Sequence, residues 1–237
     1  MSNSLVIIPT YNEKENIHDI ISYVFGLKKK FDILIVDDNS PDGTANIVKE
    51  MQKTYPNRLF LLEREKKEGL GKAYIAGFKW ALTHDYDYIF EMDADFSHPP
   101  GDLIKLLSIL ENDEADMSIG SRYLKGKINV INWDLKRILL SYFASLYVRI
   151  ITGIPVNDTT AGFVGYKKKV LEAIDFDKIE FVGYAFQIEM KYKTWKKGFV
   201  IKEIPIIFTD RIKGKSKMNG SIITEAIWGV IKMRFKG

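Results

Sequence analysis

Short apolar, β-branched runs alternate with longer amphipathic stretches through the first half of the chain. Ser4–Ile8, Phe31–Val36, Arg58–Leu62 and Asp87–Met92 are close to continuous apolar runs, the pattern of strands buried on both faces of a parallel sheet. Between them, the stretches near 14–26, 43–54 and 70–83 carry apolar residues at helical spacing. Strand, helix, strand in that order predicts right-handed crossovers and an α/β fold, a doubly wound, mostly parallel sheet with helices on both faces. Ligands of such sheets bind beyond the carboxyl ends of the strands. The polar clusters that follow these runs are therefore the candidate sites.

Regularity fades after a further strand at Asp116–Gly120. Residues 135–152 predict a long helix that is apolar over most of its circumference but interrupted by Arg137, Ser141 and Arg149. It is too polar and too short to span a bilayer, which takes ~20 mainly apolar residues. A helix near 184–196 and a strand at 199–208 follow. Residues 210–220, rich in Lys and Gly, have the composition of a mobile basic loop. Ser221–Lys236 closes the chain as an amphipathic helix, with Ile222, Ile223, Ala226, Ile227, Val230, Ile231 and Met233 at helical spacing. The expected organisation is one α/β domain over 1–220 and an amphipathic helix over 221–237.

Composition narrows the class. With 237 residues, 46% of them hydrophobic, the chain can bury one sizeable core, so fibrous and disordered readings fail. Zero cysteines exclude a disulfide scaffold, thiolate metal sites and cysteine nucleophiles. The four apolar residues Leu5 to Ile8 before Pro9 fall short of a secretory leader, so Asn157 and Asn219 are expected to match the glycosylation pattern by chance. The net charge of +4 hides an asymmetry: residues 1–118 carry −8, 119–190 carry +3 and 191–237 carry +9. An acidic front suits a cation and a basic rear suits polyanions or an anionic membrane surface; the alternative is ordinary solvated charge.

Three acidic or polar clusters follow the strands. Asp93 and Asp95 stand two apart where the fourth run gives way to a loop, so both carboxylates can turn toward one ion. Hard oxygen ligands suit Mg2+ or Mn2+, which keep waters and bridge substrate phosphates; the alternative is a solvated turn or helix cap. Asp37 and Asp38 end the second run and can bind ribose hydroxyls or a base edge, although Asn39–Gly43 is turn-forming in its own right. After the first run, Asn12 is placed to cap a helix, while Tyr11 and Glu13 can stack on and hydrogen-bond a base. Lys66–Lys72 resembles a phosphate-cradling loop but lacks the spacing of a P-loop. His18, His84 and His98 show no metal-ligand spacing, which leaves zinc and Ser/His/Asp chemistry without support. Arg122, Arg137, Arg211 and Lys217 sit beside small or turn residues, a setting for phosphate clamps or for plain surface charge.

Together, Pro9–Glu13, Asp37–Gly43, Asp93–Asp95 with Ser97–Pro100, Gly120–Gly126 and Arg211–Lys217 resemble the dolichol- or polyprenol-phosphate mannosyltransferases, inverting glycosyltransferases of the GT-A fold and family 2 type. The resemblance runs from Ile8 to about Arg234 with the motifs in the family's order. It implies a catalytic domain over 1–220 and metal-dependent transfer of mannose from GDP-mannose to a polyprenyl phosphate. It further implies that Pro9, Tyr11, Glu13, Val36 and Asp38 hold the nucleoside, and that Asp93, Ala94 and Asp95 contact the diphosphate and the ion, with Asp95 catalytic. Ser97 falls where the family often has Gln as third metal ligand; a hydroxyl is shorter, so contact there is expected through water. Arg122, Arg137 and Ser141 match acceptor-phosphate positions, with Arg122 and Arg137 also catalytic, and Arg211 and Lys217 match the loop closing over the donor.

Without a membrane span, such a chain is expected to sit peripherally on the cytoplasmic face of a membrane. Segment 221–236, supported by 138–151, would provide contact, or else an anchoring partner or a homo-oligomer; the alternative is that both helices pack on the core. The alternatives are a glucosyltransferase using UDP-glucose and a non-catalytic sugar-nucleotide-binding subunit. Nucleic acid is not expected, because the aromatics of the basic rear are not interleaved with Arg and Lys.

Overall fold

The computed structural model describes residues 3–124, 127–183, 185–210 and 221–236, with side chains in the last helix from 228 to 235. In chain order the strands are β1 (Ser4–Thr10), β2 (Asp32–Asp37), β3 (Leu59–Glu63), β4 (Tyr88–Glu91), β5 (Met117–Ser121), β6 (Tyr123–Leu124), β7 (Lys127–Ile128), β8 (Val130–Ile131), β9 (Val164–Lys167), β10 (Ile201–Pro205) and β11 (Phe208–Thr209). The helices are α1 (Ile17–Phe25), α2 (Thr44–Thr54), α3 (Leu70–Leu82), α4 (Leu103–Glu111), α5 (Leu135–Thr152), α6 (Lys168–Ala173), α7 (Ala185–Lys196) and α8 (Ser221–Lys236). Seven strands form one sheet in the order β10-β5-β9-β4-β1-β2-β3. Neighbours are parallel except at β9, which runs antiparallel to β4 and β5. The doubly wound, mostly parallel expectation is met.

Two apolar layers cover the sheet because successive strand residues point to opposite faces. Leu5, Ile7, Leu34 and Val36 pack with Tyr74 and Phe78 of α3 and with Phe186 of α7. Val6, Ile8, Ile33 and Ile35 pack instead against Ile17 and Ile21 of α1, Val48 of α2 and Leu106 of α4. Each such side chain contributes roughly 1.5–3 kcal/mol by leaving water. α3 lies so close to the sheet that a Cβ on Gly77 would fall 2.7 Å from Ile7 Cγ2.

The register brings the polar clusters to one edge. Pro9 pairs with Val36 and Thr10 with Asp37, while Ile7 pairs with Glu91. The segments after β1, β2 and β4 thus emerge side by side. The structure departs from expectation in two ways. The run 199–208 is broken after Pro205, which has no N–H to extend the ladder, and Phe208–Thr209 pairs with β8 instead. α4, α6, β9 and the two-residue strands β6, β7 and β8 have no counterpart in the sequence reading.

α5 begins at Asp134, whose side chain accepts the Arg137 amide, and ends at Gly153 with φ 75°. Ser145, Val148 and Thr152 on it are buried, whereas Leu135, Leu139, Leu140 and Phe143 are exposed. α8 packs on α5 and α7, burying Val230 and Met233 and exposing Trp228 and Phe235.

Candidate active site

Asp37 and Asp38 divide two tasks. The Asp37 carboxylate accepts from Thr10 Oγ1 at 2.7 Å, Ser40 Oγ at 2.6 Å and the Ser40 amide at 2.8 Å, tying β1 to the following turn. Asp38 is buried, and its Oδ1 accepts from Arg64 Nη1 at 2.6 Å. Burial raises its pKa against the opposing pull of Arg64. The segment after β3 closes over this pair: Asn39, at φ 57°, donates to the Glu65 carbonyl, and the Lys67 ammonium sits 4.4 Å from the centre of the Tyr11 ring. The Glu13 amide donates to Thr44 Oγ1, and the Glu13 carboxylate accepts from Asn16. Asn16, not Asn12, starts α1; Asn12 takes a left-handed turn at φ 57°. Pro9 is half-buried beside Tyr11, while the Val36 side chain is wholly in the core and offers a ligand only its backbone.

The loop after β4 is held from within the core. Glu91 accepts from Tyr166 at 2.9 Å and from the Gln187 amide, and burial pushes its carboxyl up to about 7. Ala94 is buried. Asp95 Oδ1 accepts from Ser97 Oγ at 2.6 Å and from the Ser97 amide at 3.1 Å. The Ser97 hydroxyl is thus engaged in orienting Asp95. Phe96, between them, takes φ 61°. The Asp93 amide donates to His98 Nδ1 at 3.1 Å, and the Asp93 side chain is 38% exposed. His98 is buried, stacked on Phe163 and edge-on to Phe208.

Among the described residues no third His, Cys, Asp or Glu joins the two carboxylates. Two hard oxygen donors at a loop, one facing solvent, fit Mg2+ or Mn2+, ions that complete their shells with water and substrate phosphate.

Arg122 follows β5. Its Nε and Nη2 reach the two oxygens of Asp158 at 2.7 Å each, its amide reaches the same carboxylate at 2.9 Å, and Nη2 also donates to Thr160 at 2.7 Å. Burial would raise the Asp158 pKa, but Arg122 holds it below the usual range. The loop carrying Asp158 is pinned in turn. Glu203 of β10 accepts the Asn157 and Asp158 amides at 2.7 and 2.9 Å, and Lys191, buried on α7, donates to the Ala161 carbonyl at 2.6 Å. Burial lowers the Lys191 pKa to about 8.

Arg137 lies 4.1 Å over the Trp133 ring and donates to Asp210 at 2.8 Å. Trp133 and Phe208 face Arg122 at 5.5 and 5.6 Å, and the buried Trp133 Nε1 has no hydrogen-bond partner among the described residues. Ser141 lies beside the Tyr123 hydroxyl. The Thr209 amide donates to the Ser97 carbonyl at 3.3 Å. β11 therefore joins the Asp93–Ser97 loop to both arginines. Arg211 and Lys217 lie outside the described residues. Arg64, His98, Asp158, Glu203 and Asp210 are absent from the sequence reading as site residues.

The family described as Glycosyl transferase family 2 matches residues 5–175. Over 234 residues the chain is 44% identical to the polyprenol monophosphomannose synthase of Mycolicibacterium smegmatis, covering 99% of this chain and 88% of that one. It is 43% identical over 228 residues to the undecaprenyl-phosphate mannosyltransferase of Micrococcus luteus, covering 96% and 92%. Its fold is similar to that of a mannosyltransferase from Pyrobaculum calidifontis solved with GDP-Man and Mn2+, with a TM-score of 0.60, 20% identity and coverage of 90% and 58%.

Proposed function

The chain belongs to glycosyl transferase family 2 and has its GT-A fold, and from that premise we propose that it transfers mannose from GDP-mannose to a polyprenyl phosphate. The products are polyprenyl β-mannosyl phosphate and GDP. The observation that carries this reading is the meeting at β11 of an acidic loop with two arginines. A reaction between two phosphate-bearing substrates requires that pairing of charges.

Tyr11, Glu13 and Asp38, with the backbone at Pro9 and Val36, form the nucleoside side, and Arg64 keeps the Asp38 carboxylate in place. Asp93 and Asp95 would hold Mg2+ or Mn2+, with Ser97 orienting Asp95. Bound there, the ion neutralises charge on the departing diphosphate. Arg122, Arg137 and Ser141 take the acceptor phosphate, and Arg211 and Lys217 are assigned to the donor phosphates. A monoalkyl phosphate is largely dianionic at neutral pH, its second pKa being ~6, so the nucleophile needs no base. What the chain supplies is alignment and charge. The Asp158 fork fixes one guanidinium before substrate arrives, which lowers the ordering cost of the encounter. A single displacement inverts the anomeric centre.

No helix among the described residues is long and apolar enough to cross a membrane. The exposed Leu135, Leu139, Leu140 and Phe143 adjoin Arg137 on α5, and Ile128 and Ile131 are exposed nearby. They support peripheral contact with the membrane that holds the acceptor, which we assign to its cytoplasmic face. The test is transfer of label from GDP-mannose or UDP-glucose to a polyprenyl phosphate, with divalent ion or chelator. Lipid-soluble product is expected from GDP-mannose alone, is lost with chelator, and falls at least 100-fold (~3 kcal/mol) in Asp95→Asn. Product from UDP-glucose alone overturns the donor assignment.

A further inference from the structure

Both acceptor-side arginines are held by carboxylates, in unlike surroundings. Asp158 is fully buried beneath Arg122, and losing that pair would strand a buried charge, so it persists. Asp210 meets Arg137 at 2.8 Å with the two side chains 30% and 35% exposed. A pair that water reaches is weak and exchanges readily. The Trp133 ring 4.1 Å beneath Arg137 steadies the guanidinium whichever anion it faces. The Asp210 amide donates to the Ile131 carbonyl at 3.1 Å, so the backbone that carries the carboxylate is anchored there. To a guanidinium, carboxylate and phosphate oxygens are interchangeable acceptors.

Resting on the acceptor reading above, we propose that Asp210 competes with the lipid phosphate for Arg137, standing in for it when the subsite has no ligand. A competitor built into the chain lowers the apparent affinity of every ligand of that arginine by one common factor. The acceptor, a dianion, retains the stronger hold. The product is a phosphodiester with a single negative charge, and for it the same factor favours departure. Asp210 therefore raises the acceptor KM and limits product inhibition.

Steady-state kinetics of Asp210→Asn, with a short-chain polyprenyl phosphate at fixed salt, test this. The acceptor KM is expected to fall about two- to fivefold, the factor an exposed ion pair is worth. The inhibition constant of the product should fall by the same factor, while the KM for GDP-mannose stays unchanged. In an Arg137→Gln background the Asp210 substitution should alter none of these values, since its effect runs through that arginine. An acceptor KM that is unchanged or higher in the single variant overturns the proposal, as does a fall that persists without Arg137. Should Arg137→Gln leave the acceptor KM untouched, the acceptor reading itself fails; if Arg137→Gln raises it and Asp210→Asn is inert, only the competition is lost.

Discussion

His98 accepts the Asp93 amide through Nδ1, which leaves the ring neutral with its proton on Nε2. Burial pushes its pKa down to about 4; Asp95 opposes the shift and Arg122 adds to it. Unfolded, the same imidazole titrates near ~6.5. Between those values the unfolded chain binds more protons than the folded one, so this contribution is complete above ~6.5 and is lost as pH falls toward 4. The loss is on the order of 3 kcal/mol across the window. Asn can offer an oxygen near the same place without taking a proton. His98→Asn should therefore show a shallower fall in Tm between pH 6.5 and 4 than the parent chain, measured without metal. Parallel curves would remove His98 from this role. At this scale Asp38, Asp93, Asp95 and Arg122 are legible as candidates because each ends or follows a recognisable run, and Arg137 because it interrupts an otherwise apolar helix. Their partners are not, since Arg64, Asp158 and Asp210 lie 26, 36 and 73 positions away with no period linking them.

Elements were readable where burial on both faces made the apolar run continuous, as in β1 and β2, which are buried along almost their whole length. β9 escaped because Gly165 interrupts its pattern; the missing side chain leaves room for Phe90, whose ring would lie 2.5 Å from an added Cβ. α4 is a different case. Leu103, Leu106, Leu107 and Leu110 keep helical spacing and are all buried, so its pattern is present in the sequence although the sequence reading assigns no element there. Gly77 shows the same close approach between layers in α3. Helix propensity favours Ala over Gly by about 1 kcal/mol, yet a Cβ there meets Ile7 Cγ2 at 2.7 Å and Val36 Cγ2 at 3.3 Å. Overpacking of that kind costs ~1–3 kcal/mol, so Gly77→Ala should lower Tm by several degrees. A thermal melt with Tm unchanged or raised would mean that α3 shifts freely, against the packing described above.

For the molecule as a whole, the charge asymmetry and the apolar surface point the same way. The acidic first half carries the residues proposed for the nucleoside and the metal, and the basic remainder carries Arg122, Arg137 and the exposed helix faces. The sequence offers 221–236, supported by 138–151, as the interfacial segment, and the exposed side chains of α5 and α8 give two faces on which that proposal can be tested. Val230 and Met233 of α8 are buried in the core, so deleting the helix would test folding as much as docking. Leu139 and Phe143 of α5 are exposed and can be changed without opening the core. Each apolar side chain of this size gains roughly 1.5–3 kcal/mol on leaving water, so Leu139→Glu with Phe143→Glu should release the chain from anionic vesicles in flotation. The same pair should raise the KM for a long-chain acceptor in vesicles while sparing a short, water-soluble one. Trp228→Ser with Phe235→Ser on α8 provides the comparison. If only that second pair abolishes flotation, the docking face is α8; if neither does, the apolar face of α5 is not what brings Arg137 to the lipid phosphate.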